Sequence, residues 1–229
     1  MISWVFFDLG GTLLDDGPVH DLINRKLVEL LAARGQTVSM EELLEVRDVL
    51  LARQERPLFR AVALSFTRDP AVAEAIRKET MASVSDLVNE TQRAYPEARE
   101  VLEAASAHAN LGVIANQLRG AREVMTRDGL DPFFRIVLLS EVLGVSKPDP
   151  AIFEAALREA GCRPSEAVMV GDRIDNDIEP AKALGFRTVR VRSGVFRHQF
   201  PLRPAQRPDV EVASLREVPH ALEKLARAE

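Results

Sequence analysis

Two patterns of hydrophobic residues divide this chain along its length. Between positions 18 and 92, apolar residues recur at the spacing of amphipathic helices, and the clearest examples are His20–Arg34, Met40–Arg53 and Ala71–Val88. No convincing strand interrupts this stretch. After Tyr95-Pro96 the pattern changes to short, mainly apolar runs that alternate with helical segments.

The apolar runs predict buried strands, and the segments between them predict helices. The predicted strands are Trp4–Phe7, Leu111–Ala115, Ile136–Leu139, Ala167–Val170 and Thr188–Val191. The predicted helices of this part are Glu97–His108, 119–128, Asp149–Ala160, Asn176–Leu184 and a final one over 214–227, with an extended surface loop over Pro201–Pro208. Strands that are apolar on both sides and alternate with helices indicate a parallel sheet with helices on both faces, which is an α/β fold.

The helical stretch begins directly after the first predicted strand. The sequence therefore predicts an α/β core formed by residues 1–15 and 93–229, with an all-helical insert over residues 16–92. A chain of 229 residues, 46% of them hydrophobic, has enough apolar material for such a core and a small second unit.

Composition and charge narrow the possible partners. The net charge of −5 and the pI of about 5.5 argue against a nucleic-acid-binding protein, because such proteins present a basic face. The chain has one cysteine, Cys162, no basic region before its first apolar run, and no apolar stretch near the ~20 residues that span a bilayer. We expect a soluble cytoplasmic protein, either a monomer or a homodimer, with no nucleic-acid or membrane partner.

Polar residues follow four of the predicted strands. Asp8 follows the first, Ala115-Asn116 closes the second, Lys147 follows the third, and Gly171-Asp172 follows the fourth. Ligands of open parallel sheets bind at the carboxyl ends of the strands, so we expect these residues to meet in one crevice.

The side chains of this crevice suit a divalent cation and a phosphoryl group. Asp8 and the acidic cluster Asp172, Asp175 and Asp177 supply carboxylates, which Mg²⁺ prefers, and a carboxylate can also attack phosphorus. Lys147 can neutralise charge on a transferred group. Each feature alone has a structural explanation, as a helix cap, a solvated lysine or a helix N-terminus, so the inference depends on their combination and order.

With these motifs, the sequence resembles the haloacid dehalogenase superfamily over essentially its whole length. Its first motif, D-x-D-G-T-L, corresponds to Asp8–Leu13, and its second, an apolar strand that ends in Ser or Thr, corresponds to Val113–Asn116. The third, a lysine in K-P-x-P-x-I-F, corresponds to Lys147–Phe153, and the fourth, G-D-x-x-x-x-D, to Gly171–Asp177. The helical insert is similar to the C1-type cap of this superfamily, which accompanies a Rossmann-like core.

The resemblance implies a Mg²⁺-dependent hydrolase of small phosphorylated metabolites. Asp8 would be the nucleophile and a metal ligand, with the main-chain carbonyl of Gly10 and the Asp172 carboxylate as further ligands. Asp177 would complete the metal site by orienting Asp172 or Lys147. The resemblance assigns phosphate binding to a larger set of residues: Gly11, Thr12, Ala115, Asn116 and Lys147. The cap would set substrate specificity.

The chain departs from the family pattern at two positions. Gly10 stands where phosphatases carry a second Asp that protonates the leaving group, and such acid–base catalysis contributes about 10²–10⁴ in rate. Ala115 replaces a hydroxyl residue, which removes a hydrogen bond of roughly 1.5–3 kcal/mol to phosphate. We therefore expect slow hydrolysis of alkyl phosphates and a preference for good leaving groups. Asp15 or Asp16 either supplies the missing carboxyl group or only marks the linker into the cap.

The sequence leaves three alternatives to a phosphatase open. The losses at Gly10 and Ala115 fit a non-catalytic protein that binds a phosphometabolite, whereas the retained Asp8, Lys147 and Asp172 argue for turnover. Haloacid dehalogenases tolerate a non-acidic residue at position 10 but do not normally carry the G-D-x-x-x-x-D motif. Phosphosugar mutase activity would need the missing acid.

Overall fold

The computed structural model describes residues 1–117 and 120–227, apart from the side chain of Asp86. The chain forms two compact units. Unit 1 comprises residues 1–16, 93–197 and 201–229, and unit 2 comprises residues 17–92 and 198–200.

The strands and helices follow the alternation that the sequence predicts, with additional short elements. The strands are β1 (Trp4–Phe7), β2 (Leu14–Asp15), β3 (Arg93–Ala94), β4 (Asn110–Ala115), β5 (Phe134–Leu139), β6 (Ala167–Gly171), β7 (Arg187–Val191) and β8 (Val210–Val212). The helices are α1 (Gly17–Ala32), α2 (Met40–Ala52), α3 (Leu58–Thr67), α4 (Pro70–Thr91), α5 (Ala98–Ser106), α6 (Ala121–Arg127), α7 (Ser140–Leu143), α8 (Pro150–Ala160), α9 (Glu179–Ala183) and α10 (Val218–Arg227).

Unit 1 is built on a six-stranded sheet in the order β5-β4-β1-β6-β7-β8, and all of its strand pairs are parallel. Successive strand residues point to opposite faces, so that Val5 and Phe7 pack into one apolar cluster and Trp4 and Phe6 into the other. The first cluster also contains residues of α5, α6 and α10, and the second contains residues of α8 and α9. The predicted α/β class, with helices on both faces, is confirmed.

The central strand β1 places the first motif between two neighbouring strand ends. Its last residue, Phe7, is in register with Val113 of β4 and Val170 of β6. The next residue, Asp8, donates its main-chain N–H to the carbonyl of Val170 over 2.9 Å. The carboxyl ends of β1, β4 and β6 therefore lie together, and the residues that follow them are neighbours.

A two-stranded antiparallel sheet joins the points where the chain leaves unit 1 and returns to it. Leu14 and Asp15 of β2 are in register with Ala94 and Arg93 of β3. The main-chain N–H of Tyr95 donates to the carbonyl of Leu13 over 2.9 Å. The sequence did not predict these strands, because two residues are too few to show a periodic pattern.

Unit 2 contains the helices α1–α4 around an apolar core of its own. Two helix starts follow local sequence signals: Ser39 and Glu42 form a capping box at α2, and the Asp69 carboxylate caps α4 just before Pro70. Helix α3 lies within the stretch that the sequence predicts to be helical, but it is not one of the three segments with the clearest helical spacing. None of the helices in the described ranges is long and apolar enough to cross a membrane.

Candidate active site

Asp8 and Lys147 meet at the carboxyl end of β1. The Lys147 ammonium lies 2.7 Å from Oδ1 of Asp8 and 2.5 Å from Oδ1 of Asp177. The lysine side chain is 1% exposed, so both ion pairs are shielded from solvent. The three groups are far apart in sequence, and the parallel topology brings them together as the motif order predicts.

Asp177 is held by both of its carboxylate oxygens. Oδ1 accepts from Lys147, and Oδ2 accepts the main-chain N–H of Arg173 over 3.0 Å. Residues Ile174–Ile178 form a single π-helical turn, a feature found often at functional sites. This turn directs the Asp177 side chain back under the end of β6, where it orients Lys147.

Asp172 differs from the other two acids in its hydrogen bonding. Its side chain is buried, yet neither carboxylate oxygen has a hydrogen-bond partner in the described part of the chain. One ligand oxygen each of Asp8, Asp172 and Asp177 lies within 4.8 Å of the others, which is close enough for these groups to hold a metal ion. A buried carboxylate without a partner is costly, so this arrangement is suited to a cation.

Burial and neighbouring charges shift the pKa values of Asp8, Asp172 and Lys147. Burial raises the pKa of Asp8 to about 6, against the opposing effect of the Lys147 charge. Burial also raises the pKa of Asp172, and the nearby charges of Asp177, Asp8 and Asp16 raise it further. For Lys147, burial disfavours the charge, but Asp177 and Asp8 outweigh it and raise the pKa.

The loop after Asp8 approaches Asp172 very closely. Gly11 has a φ of +73°, and a Cβ atom at this position would overlap the Asp172 carboxylate. Only glycine satisfies both conditions without strain. Thr12 is fully buried, and its hydroxyl has no partner among the described residues. Gly10 is not in the left-handed region and forms an isolated bridge with Leu14.

The side-chain amide of Asn116 binds the main chain of Lys147. Its side-chain NH₂ donates to the main-chain carbonyl of Lys147 over 2.8 Å, and its Oδ1 accepts the Lys147 main-chain N–H over 2.7 Å. The amide is therefore engaged with the peptide groups of Lys147, and phosphate binding by the Asn116 main-chain N–H stays a prediction. Ala115 is the buried last residue of β4 and presents no hydroxyl.

A sequence model of the haloacid dehalogenase-like hydrolases matches residues 2–185. The chain belongs to this hydrolase family. The match includes all four motif regions of the site, so the predicted family is confirmed.

Curated relatives of this haloacid dehalogenase-like chain carry phosphatase names. A "Glyceraldehyde 3-phosphate phosphatase" of Methanocaldococcus jannaschii is 27% identical over 99% of this chain and 100% of that protein. A protein of the same name from Methanopyrus kandleri is 42% identical, over 46% of this chain and 45% of that protein. A "Phosphoserine phosphatase" of Thermus thermophilus is 32% identical over 88% of this chain and 76% of that protein.

A solved structure of another branch of the family is also similar. The crystal structure of a 2-haloacid dehalogenase from Pseudomonas syringae has a TM-score of 0.60 and 28% identity, and the match covers 98% of this chain and 99% of that one. The likeness to both a dehalogenase and phosphatases shows that the fold is common to different hydrolytic reactions.

Sequence reasoning missed Ser193 and Gly194, which lie in the loop after β7 and border the same site. The Ser193 hydroxyl donates to the main-chain carbonyl of Gly11. A Cβ atom on Gly194 would lie 3.2 Å from the Gly11 Cα, 3.4 Å from Oδ1 of Asp16 and 3.8 Å from Oδ2 of Asp172. The position of Ser193-Gly194 directly after a core strand is the signal that could have indicated this role. Asp16, counted with the insert in the sequence prediction, belongs to unit 1 and is buried.

Proposed function

We propose that this chain is a Mg²⁺-dependent phosphatase that hydrolyses small phosphate monoesters through a covalent intermediate on Asp8. The observation that carries the proposal is the buried Asp172 carboxylate, which has no partner in the described part of the chain and lies beside Asp8 and Asp177. Buried polar groups in native proteins usually have partners, so a buried carboxylate without one requires an explanation, and a bound cation supplies it.

The donor set fits a hard divalent cation. Three carboxyl groups face the one ammonium group of this cluster, so the fully ionised cluster carries an excess of negative charge. Asp8 and Asp172 would hold Mg²⁺ together with the Gly10 carbonyl, and Asp177 would keep Lys147 and the Asp172 loop in place. Oxygen ligands of this kind are those that Mg²⁺ prefers, and the bound ion would neutralise charge on the phosphoryl oxygens.

The reaction would proceed in two displacements. A carboxylate oxygen of Asp8 attacks phosphorus, and the bond between phosphorus and the leaving oxygen breaks. Water then attacks the aspartyl-phosphate, which releases inorganic phosphate and restores the Asp8 carboxylate. Lys147, already 2.7 Å from Asp8, would neutralise the transferred group throughout. Gly11 and Thr12 would line the phosphate loop.

The leaving group requires a proton that Gly10 cannot supply. Of the two acids near the linker, Asp16 is the better candidate, because it is buried in unit 1 and faces Gly194, which in turn lies against Gly11 and Asp172. Asp15 is paired in β2 and is only half-buried. If Asp16 supplies the proton, Asp16→Asn should slow alkyl phosphates more than p-nitrophenyl phosphate; an equal effect on both would favour a linker role.

Unit 2 would act as the cap that selects the substrate. The names of the relatives suggest three-carbon phosphates, namely glyceraldehyde 3-phosphate and phosphoserine, as the first compounds to test. The loss of the acid at Gly10 suggests that acyl and aryl phosphates turn over faster than these alkyl esters.

The decisive experiment measures phosphate release with Mg²⁺, with EDTA and from Asp8→Asn. The substrates are acetyl phosphate, p-nitrophenyl phosphate, glyceraldehyde 3-phosphate and phosphoserine. We expect Mg²⁺-dependent turnover that Asp8→Asn abolishes. A matched control is Asp175→Asn, because Asp175 is a buried acid paired with Arg173 rather than with Lys147.

Two other results would point to the alternatives. If no substrate turns over but phosphate compounds raise the melting temperature in Mg²⁺, the chain is a phosphometabolite-binding protein. Halide release from 2-haloacids, independent of Mg²⁺, would instead indicate a dehalogenase, the reaction named for the similar Pseudomonas syringae structure.

A further inference from the structure

We infer that Arg190 is a positioning residue that holds the metal-binding edge of the site in place, an inference that rests on the proposed function. Arg190 lies near the end of β7 and is 1% exposed, between the buried residues Val189 and Val191. A buried cation between two buried valines is costly unless its hydrogen bonds are satisfied. The hydrogen bonds of the Arg190 side chain indicate its role.

The guanidinium group of Arg190 binds three different segments of unit 1. Its Nε donates to the main-chain carbonyl of Asp172 over 3.2 Å, and its Nη2 donates to the main-chain carbonyl of Phe196 over 3.1 Å. Its Nη1 donates to the Glu211 carboxylate on β8 over 2.9 Å, which also neutralises the charge. Two of these contacts reach segments that border the proposed metal site.

The first contact fixes the backbone from which the unpartnered carboxylate projects. The Asp172 side chain has no hydrogen bond of its own in the described part of the chain, so its direction depends on its main chain and packing. The hydrogen bond from Arg190 to the Asp172 carbonyl restrains that main chain. Groups that orient a ligand in this way influence metal affinity without touching the metal.

The second contact fixes the loop that covers Gly11. The segment from Ser193 to Phe196 is bound at one end by Arg190, through the Phe196 carbonyl, and at the other by the Ser193 hydroxyl on the Gly11 carbonyl. The Arg173 guanidinium also stacks on the Phe196 ring, at 4.1 Å from its centroid. Arg190 thus links the Asp172 segment to the loop that carries Gly10 and Gly11.

Arginine is suited to this role for a geometric reason. Its planar group carries five N–H donors in fixed directions, so one side chain can serve two carbonyls and one carboxylate. Lysine would keep the charge, but its single nitrogen cannot reach all three acceptors. The substitution Arg190→Lys therefore separates the charge of Arg190 from its hydrogen-bond pattern.

The test measures Mg²⁺ binding directly, by calorimetry on the full-length protein and by the Mg²⁺-induced shift in melting temperature. We expect Arg190→Lys to weaken Mg²⁺ binding about 10- to 100-fold. The matched control is Arg187→Lys, the same substitution at the start of the same strand, where Arg187 is in register with Val168 at the other end of β6. It should leave Mg²⁺ binding unchanged.

A second variant tests the same link without changing the buried side chain. Ser193→Ala removes the hydroxyl that binds the Gly11 carbonyl, and we expect Mg²⁺ binding to weaken about 2- to 10-fold, the effect of one hydrogen bond. If Arg190→Lys does not fold, Mg²⁺ binding by Ser193→Ala becomes the test of this inference.

The outcomes separate this inference from the proposed function. If the unsubstituted protein binds no Mg²⁺, the proposed function fails whatever the variants do. If it binds Mg²⁺ and the folded Arg190→Lys variant binds equally well, Arg190 serves only to join β7 to β8 and the inference is overturned. Unchanged binding by Ser193→Ala would overturn it in the same way if Arg190→Lys does not fold.

Discussion

The Asp172 carboxylate is buried without a hydrogen-bond partner in the described part of the chain, which costs stability. It is buried beside two other carboxyl groups, and burial together with their charges raises its pKa. A group placed for stability alone would have a donor within reach, as Asp175 has in Arg173 over 2.7 Å. This contrast between two acids three positions apart supports the metal-binding role that we propose for Asp172 and a structural role for Asp175.

Replacement of Asp172 should therefore have opposite effects with and without metal. We expect Asp172→Asn to raise the free energy of unfolding of the metal-free protein at pH 8 by about 1–3 kcal/mol, because it removes an acid whose burial costs stability either as an unpaired charge or through the proton that it must retain. The same change should abolish the stabilisation by Mg²⁺. Chemical denaturation in EDTA and in Mg²⁺ measures both effects.

Asp175→Asn is the matched control for this prediction. It breaks a buried ion pair with Arg173 and should lower the free energy of unfolding in EDTA. If Asp172→Asn destabilised the metal-free protein as Asp175→Asn does, the Asp172 side chain would be part of the structural framework, and the proposed metal site would lose its main support.

Gly10 allows a test by gain of function. Because its backbone is not in the left-handed region, a side chain at this position meets no backbone strain of that kind. We expect Gly10→Asp to accelerate the hydrolysis of alkyl phosphates by about 10²–10⁴, since it restores an acid at the position the family uses. Steady-state rates for phosphoserine and p-nitrophenyl phosphate measure the effect.

The control for Gly10→Asp is Gly10→Asn, which has the same size but transfers no proton. We expect this variant to leave the ratio of alkyl to aryl rates unchanged. If Gly10→Asp gave no greater gain for phosphoserine than for p-nitrophenyl phosphate, another group would already protonate the leaving oxygen, and Asp16 would be the first to examine.

At the scale of elements, the site depends on links between strand ends that are distant in sequence. Asn116, just after β4, binds both main-chain groups of Lys147, which precedes α8. The lysine therefore reaches Asp8 and Asp177 from a segment that is itself held by the neighbouring strand end. Hydrogen bonds to the main chain of a reactive residue, like these two, keep its side chain within the narrow range of positions that a reaction needs.

We expect Asn116→Ala to reduce turnover by up to about 100-fold through displacement of Lys147. It should also lower the free energy of unfolding by about 1–3 kcal/mol, because the peptide groups of Lys147 lose their partners. Mg²⁺ should still bind, because Asn116 makes neither of these hydrogen bonds to the three acids of the proposed metal site. Calorimetry and steady-state kinetics separate the two effects.

The matched control is Asn110→Ala, at the amino end of the same strand, β4. It should leave turnover unchanged. An equal loss of turnover in both variants would mean that general damage to β4, and not the position of Lys147, lowers the rate.

For the whole molecule, we expect the buried acids to make the free energy of unfolding depend on pH and on Mg²⁺ together. The pKa of Asp8 is about 6 in the folded protein against 3.8 for the unperturbed group, so between these values the folded state keeps a proton that the unfolded chain has released. The free energy of unfolding of the metal-free protein should therefore fall as the pH rises from about 4 to about 6. The raised pKa of Asp172 adds to this fall in the same direction.

Mg²⁺ should reverse the trend, because it binds the deprotonated carboxylates. At a concentration 100 times its dissociation constant, a ligand adds about 2.7 kcal/mol to the free energy of unfolding. We expect this stabilisation at pH 8 and little of it at pH 5. Thermal unfolding in Mg²⁺ and in EDTA across this range measures it.

Other acids do not obscure this pH effect. The carboxyl groups whose pKa is lowered by their partners lose stabilisation only below their ordinary values of 3.8–4.5, and these are Glu42, Glu74, Asp128, Glu166 and Asp209. Mg²⁺ stabilisation that was greater at pH 5 than at pH 8 would contradict the assignment of Asp8 and Asp172 to the metal site.

The sequence by itself determined the fold class and the set of residues to examine. Strands such as Trp4–Phe7 and Ala167–Gly171 are apolar at every position or nearly so, because both faces of the sheet are covered, and this pattern is visible without coordinates. In a parallel sheet the strand ends converge, so the order of Asp8, Lys147 and Asp172 along the chain was sufficient to predict that they meet. Both predictions follow from local hydrophobic patterns and from the general rules of parallel-sheet topology.

Only the tertiary structure decided how these groups are supported. The short strands β2, β3 and β8 exist because of their neighbours, since two or three residues show no period of their own. The roles of Asn116, Ser193 and Arg190 depend on hydrogen bonds to residues distant in sequence, and so does the absence of a partner for Asp172 among the described residues. Satisfaction of buried polar groups is a property of the packed chain, because it depends on which atoms are within about 3 Å and not on which residues are adjacent along the sequence.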